Sequence, residues 1–339
     1  MSHSWIKRLV VALAVMAAIV VAGRVYDTKD GAAAADSIRI GWVPAASWTP
    51  WATLDTELPD GTSVELVPFK SSNDELTALT QGSIDMAPVG YNNLAALLTT
   101  SDPPVSFVSG ISSNGSVFLA RKGSGIDTWQ DLRGKRIASV RGSTQYVNMA
   151  TAMKSQGLDI DSDTTYVNMQ AFPDLNLALD RGDVDAIVTF PPLSGEAIDG
   201  GHATTVDDIQ SHLYDGSFTV ASGILANDSF LEDNREEAET VLEAYRARLA
   251  DLSKDPHEWA AQYEREAGSK GARIAEALER EYIKPEPDMP MSEIMKVPTV
   301  LSQMNIIDSD TSEQLAEHID YSLLEDITGE PASRLGKND

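Results

Sequence analysis

The sequence predicts an α/β fold in two lobes that close like a clamshell, with a run of helices at the C-terminal end. Three observations predict it. From Ser37 to Pro192, short β-branched runs alternate with helix-like segments, as in a mostly parallel sheet flanked by helices. The chain has 339 residues, whereas single cores stop growing at about 250–300 residues. The alternation also restarts midway: strand-like segments near Phe118 and at Phe218 to Leu225 read as a crossing out and a crossing back. The divisions expected are 1–35 as an export signal or membrane anchor, 36–118 with 224–339 as the first lobe, and 119–223 as the second.

The leader carries Lys7 and Arg8 ahead of an apolar run from Leu9 to Ala22, with small residues at Ala32 to Ala35 for cleavage. The run is shorter than the roughly 20 residues a span needs, and the alanine tract lies far from it. A cleaved signal and a retained anchor both fit. Either places the folded part outside the cytoplasm, in the periplasm or at the cell surface.

Ile38 to Val43 reads as a strand, followed by a loop from Pro44 to Pro50 and a helix near Trp51 to Leu58. Val64 to Pro68 is a second strand. Asn73-Asp74-Glu75 starts a helix that buries Leu76 and Leu79 and stops at Gly82. Asp85 to Gly90 is the third strand, and Tyr91-Asn92-Asn93 opens the next helix. Val105 to Ser109 and Val117 to Ala120 are strand-like, separated by the polar Ser112 to Gly115.

The alternation restarts with strand Ile137 to Val140, a turn at Arg141-Gly142, and a helix from Ser143 or Thr144 to Gly157. A hydroxyl cap at one end and a glycine at the other mark its limits. Strand Thr165 to Asn168, helix Leu175 to Arg181 and strand Ala186 to Phe190 follow. Beyond Asp228 the chain reads as helical throughout, with Asn234 capping a long helix and a loose tail from Gly329.

Ligands of such sheets bind beyond the carboxyl ends of the strands. One of those ends, Arg141 to Gln145, joins a strand to a helix start, where free backbone N–H groups and the peptide dipoles favour a sulfonate, carboxylate or phosphate. Ser143 fits equally a hydroxyl that only caps its own helix.

Composition excludes several functions. The formal net charge of −26 repels nucleic acid and anionic lipid surfaces. Cysteine is absent, which removes disulfides, thiolate metal sites, a cysteine nucleophile and a lipid-modified cysteine. The histidines His3, His202, His212, His257 and His318 are scattered, and no pair has helix-face metal spacing, so neither a metal nor a cofactor is expected. Gly-x-Ser-x-Gly, Walker and dinucleotide glycine patterns are missing, and Ser143 has no sequence-local base; no enzyme is expected.

Three segments carry a family likeness: Ala78 to Asp85 before Gly90, Trp129 to Ala138, and Ala178 to Ala186. In this order and spacing, the chain from Ile38 to Arg248 resembles the solute-binding proteins of ABC importers in the nitrate, sulfonate and taurine group. The resemblance implies a type II periplasmic-binding fold, a small anionic or zwitterionic solute, a membrane permease as partner and a monomeric receptor. Carried over residue by residue, it puts Pro44, Ala45, Ala46, Ser47, Asn92 and Asn114 along the cleft. Ser143 and Thr144, with Gln145 beside them, would receive the anion; Trp48, Tyr91 and Phe190 would enclose its apolar part. Arg141 would be a counter-charge, and Asp174 is an acid near the cleft. Tyr91 and Phe190 fit core packing as well, Arg141 a solvent-facing residue, and Asp174 a helix-start acid. Taurine-type members resembling this chain place an acid near the first loop or the second hinge strand, where this sequence has Ala46 and Ser222. Taurine is therefore not favoured over a sulfonate with an uncharged tail or another small organic anion, and the ligand class expected is an aliphatic sulfonate or taurine-like compound. A thiamine-pyrimidine-like precursor and a membrane-tethered ligand sensor are the alternatives.

Overall fold

The structure, a computed structural model, describes residues 37–338. The leader expected at 1–35 lies outside them. Among the described residues eleven strands form two sheets. In chain order they are β1 (Ile38–Trp42), β2 (Val64–Pro68), β3 (Met86–Gly90), β4 (Val105–Asn114), β5 (Val117–Arg121), β6 (Arg136–Ser139), β7 (Thr165–Asn168), β8 (Ala186–Thr189), β9 (Ala203–Thr205), β10 (Val220–Asn227) and β11 (Ile283–Pro285). The first sheet has the order β11-β4-β10-β3-β1-β2 and the second β7-β6-β8-β5-β9. The fold is the expected two-lobed α/β arrangement, with helices filling the C-terminal part.

The sheets are mixed rather than mostly parallel. β1 pairs in parallel with β2 and β3, and β6 with β7 and β8. β10 and β5 run opposite to the parallel strands of their sheets, so β4, on the far side of β10, is antiparallel to β10 while sharing the direction of β3. The chain leaves the first sheet after Asn114, enters the second at Val117, and returns at Val220. Ser112 and Ser113, expected between two strands, lie inside β4; Asn114 N–H donates to Thr219 O at 2.7 Å, tying the two crossings together.

The glycine–aspartate signatures have one structural meaning in both lobes. Asp85 receives the backbone N–H, Nε and Nη2 of Arg39, the second residue of β1. Asp185 receives the same three donors of Arg136, the first residue of β6, plus Nη2 of Arg121. Each carboxylate thus fastens the turn after a helix to the start of a parallel strand, β1 or β6, through charge-assisted bonds.

The core sits on both faces of the first sheet. On one, helix Arg235–Leu252, through its Tyr245, joins Trp51 and Trp259 in a cluster where all three rings are fully buried. Trp51 meets Tyr245 edge-on at 6.0 Å, a geometry that adds about 0.5–1.5 kcal/mol beyond its buried area. On the other face Tyr91, Phe107 and Leu79 join a cluster that continues into the second lobe through Val147, Met149 and Met153.

Several local expectations change. Trp51 to Leu58 forms a short helix, Thr49–Ala52, and a 3-10 turn, Leu54–Glu57. Helix Ser72–Thr80 is capped by Ser71, whose Oγ accepts from Asp74 N–H, not by Asn73 to Glu75. Asn234 stands at the start of its helix without a side-chain cap bond. The C-terminal part is not wholly helical, since β11 pairs with β4. The tail is not loose: Ala332 and Leu335 are buried, and Met289 N–H donates to Leu335 O.

Candidate functional site

Gly142, at φ +84, turns the chain out of β6, a left-handed conformation that glycine adopts without steric cost. Arg141 N–H donates to Asn168 Oδ1 at 2.9 Å and pins the turn to β7. Helix Thr144–Ser155 then begins, with Ser143 as its cap: Ser143 Oγ accepts from Tyr146 N–H at 3.2 Å, and Ser143 O accepts from Val147 N–H. The amides of Thr144 and Gln145 have no acceptor within the helix and stand at the positive end of its dipole. Both residues are half-buried. Thr144 Oγ1 donates to Asn92 Oδ1 at 3.4 Å, across to the first lobe, where Asn92 lies in the first turn of helix Tyr91–Leu97. The geometry therefore brings Ser143, Thr144, Gln145 and Asn92 together.

No free cation accompanies them from Arg141. Its guanidinium lies 4.8 Å from the Tyr146 ring and 4.7 Å from that of Tyr166, donates to Tyr146 Oη, and pairs with Asp161 at 2.8 Å. Burial pushes the Tyr146 and Tyr166 hydroxyls above the usual phenol value, so both stay neutral beside it. The arginine expected as a counter-charge is thus held by three partners of its own lobe.

The first-strand loop is positioned from the opposite side. Trp259 Nε1 donates to Ala46 O at 2.8 Å, and Tyr263 Oη to Pro44 O at 3.4 Å. Pro44 is exposed and Ala45 and Ser47 half-buried, while Ala46 is fully buried and presents no side-chain surface. Trp48 is 6% exposed, and its Nε1 donates to Ser222 Oγ at 3.0 Å, which is also 3.0 Å from Ser112 Oγ. Ser222 thus belongs to a buried hydroxyl pair beneath the loop.

Other expected site residues are placed elsewhere. Tyr91 is 1% exposed and packed on Phe107 at 4.5 Å with the rings tilted by 44°. A Cβ on Gly223 would lie 2.6 Å from Tyr91 Oη, so the phenol fills space that only a glycine leaves. Tyr91 is thus packed into the core of the first lobe. Asn114, at φ 65, donates from Nδ2 to Glu281 O at 2.7 Å and serves the crossing. Asp174 is exposed in the first turn of helix Phe172–Arg181, where the dipole favours an acid. Phe190 is half-buried and edge-on to Phe172 at 4.8 Å.

Sequence reasoning missed Phe172, Asn148, Thr189 and Asn176. Thr189 Oγ1 and Asn176 Oδ1 are buried without a hydrogen-bond partner among the described residues. Thr189 ends the apolar run of β8, and that single hydroxyl is the only sequence signal for it. A cavity of about 180 Å³ opens between Ser194, Gly195, Thr204, Arg273, Glu276 and Tyr282. It lies between helices Leu193–Asp199 and Ile274–Glu279, away from the Ser143 turn, and Arg273 Nε closes its rim on Asp199 at 2.6 Å. Among the described residues no group of His, Asp and Glu is arranged to hold a metal ion, and no helix is long and apolar enough to cross a membrane.

The chain is similar to several known proteins. It is 27% identical over 171 residues to an aliphatic sulfonates-binding protein of Escherichia coli (strain K12), covering 50% of this chain and 52% of that one. The match thus spans about half the length of this curated relative. Its fold resembles the periplasmic aliphatic sulphonate binding protein SsuA from Escherichia coli, with TM-score 0.70 at 19% identity over 84% of this chain and 92% of that one. The alkanesulfonate-binding protein SsuA from Xanthomonas axonopodis pv. citri, bound to MOPS, gives 0.68 at 19% identity over 86% and 100%. The nitrate-binding protein NrtA from Synechocystis PCC 6803 gives 0.69 at 12% over 89% and 91%. A family model described as NMT1/THI5 like matches residues 59–259, more than half of the chain, and the chain belongs to that family.

Proposed function

We propose that the protein is an extracytoplasmic solute-binding receptor of an ABC importer. It binds a small organic anion between its lobes, without catalysis, and delivers it as a monomer to a membrane permease. The ligand class that fits best is an aliphatic sulfonate or a taurine-like compound. One observation carries this reading: the amides of Thr144 and Gln145 start a twelve-residue helix at the point where Thr144 meets Asn92 of the other lobe. An anion there gains donors from one lobe and a neighbour from the other, so it favours the closed form by its extra contacts there. The sulfonate-binding names of similar proteins support the ligand class. Ser222 Oγ, already engaged by Trp48 and Ser112, offers no carboxylate for an amine, which favours a sulfonate with an uncharged tail.

Titration calorimetry with butane-1-sulfonate, taurine, nitrate, acetate and a hydroxymethylpyrimidine tests the reading. Butane-1-sulfonate is expected to bind most tightly. Preference for the uncharged pyrimidine overturns the anion reading and favours a precursor binder. Silence toward all five removes the ligand class altogether.

A further inference from the structure

The helix that presents Thr144 and Gln145 also carries a buried polar side chain one turn further on, Asn148, which is 0% exposed. Asn148 Nδ2 donates to Ser116 Oγ at 3.0 Å, and Asn148 Oδ1 accepts from Ser217 Oγ at 2.7 Å. Ser116 lies on the outgoing crossing between β4 and β5; Ser217 lies on the returning crossing just before β10. One amide therefore holds both chain crossings at once.

The surroundings complete the arrangement. Ser116 N–H donates to Tyr214 Oη at 2.9 Å, and Ser116 O accepts from Gln210 Nε2 at 3.0 Å. Gln210 Oε1 accepts from Phe118 N–H at 2.9 Å. Every polar group of Ser116 is thus committed to residues of the second lobe or the returning crossing. A buried polar network that is fully satisfied is rigid, because each broken bond leaves a desolvated group unpaired. The bending point is then left to Asn114 and Gly115, which have φ 65 and φ 97 and lie on the first-lobe side of the network.

We propose that Asn148 is a positioning residue that couples the anion-receiving helix start to the hinge. By gripping Ser116 and Ser217 it makes helix Thr144–Ser155 and the second-lobe ends of both crossings one rigid piece. A ligand drawn to the amides of Thr144 and Gln145 then moves the whole lobe instead of tilting one helix. This rests on the reading of the helix start as the anion site, but the rigid piece is a property of the ligand-free protein as well.

The chain contains no cysteine, so labels placed by Leu177→Cys and Glu232→Cys, both exposed, report the distance between lobes by pulsed electron resonance. Asn148→Ala and the pair Ser116→Ala with Ser217→Ala are compared with Met153→Ala, a buried change on the same helix. Both hinge variants are expected to broaden the ligand-free distance distribution. They are also expected to weaken butane-1-sulfonate binding about tenfold, a loss of the size of one neutral hydrogen bond, with a smaller ligand-induced narrowing. Met153→Ala should lower the melting temperature without either change. Distributions and affinities that match those of Met153→Ala at equal melting temperature overturn the coupling and leave the anion reading intact. A wild-type protein that binds no anion, with Asn148→Ala still broadening the distribution, overturns the anion reading and supports the rigid piece.

Discussion

Thr144 Oγ1 stands 3.4 Å from Asn92 Oδ1, so the first turns of two helices from different lobes meet side chain to side chain. The bond is long and half-buried, and its net contribution to closure is small. Its value is positional, since it aligns unpaired amides with the gap. Ser143→Ala with Thr144→Ala is expected to weaken anion binding by about 1–3 kcal/mol, read by calorimetry. The lost cap at Ser143 lowers stability by about 1 kcal/mol, which leaves the protein folded. Unchanged affinity in a folded double variant would put the anion elsewhere.

Arg141→Gln tests the opposite expectation. The guanidinium is spent on two tyrosine rings and Asp161, so its removal should leave anion affinity unchanged. Stability should fall by about 1 kcal/mol, as expected for an exposed cation–π contact and a surface ion pair together. A large loss of affinity at constant melting temperature would show that the arginine leaves its tyrosines for the ligand.

The overall architecture was legible because it is written in local patterns. Alternating strands and helices, the glycine stops and the cap at Ser143 all appear where periodicity and turn chemistry put them. The two aspartates of the family signature were recognisable as sequence, but their partners Arg39 and Arg136 lie 46 and 49 residues away and only pairing of strands brings them together. The site was less legible for the same reason. Tyr91 looked like a ligand-facing aromatic, yet the absence of a side chain at Gly223, on a strand more than a hundred residues later, is what draws its ring into the core. Asn148 sits in an otherwise apolar helical stretch and gave no sign of joining two crossings, because Ser116 and Ser217 lie 32 and 69 residues from it.

Asp185 is expected to make the second lobe acid-sensitive. The Arg136 hydrogen bond, with help from Arg121 and against the cost of burial, holds its carboxyl well below the usual carboxylate range. A carboxyl with a lowered folded-state pKa stabilises fully above its unfolded value of about 3.9, and that stabilisation is lost as pH falls toward the folded value. Asp185→Asn should cost about 1.5–3 kcal/mol at pH 7, the size of a hydrogen bond to a charged group. Denaturant curves at decreasing pH should show the gap between wild type and variant closing below about pH 4. A gap that stays constant down to pH 2 would mean the charge of Asp185 is not what stabilises the turn.

Glu75 carries the opposite sign. It is 0% exposed on helix Ser72–Thr80, and neither carboxyl oxygen has a partner among the described residues. Burial, reinforced by the neighbouring charge of Asp74, pushes its carboxyl well above the ordinary value. The folded protein therefore holds a proton that the unfolded chain releases near pH 4.3, and stability falls as pH rises from there toward the raised value. Glu75→Gln removes the titration while keeping the shape of the side chain. The variant should match wild type near pH 5 and exceed it by about 1–3 kcal/mol at pH 8, the cost of a buried group left without a partner. Asp74→Asn, which removes only the reinforcing charge and leaves Glu75 buried, should move wild-type behaviour a smaller distance the same way. Parallel pH profiles for wild type and Glu75→Gln would mean that the carboxylate finds a donor on ionising, and that Glu75 sits in a more adaptable place than its burial implies.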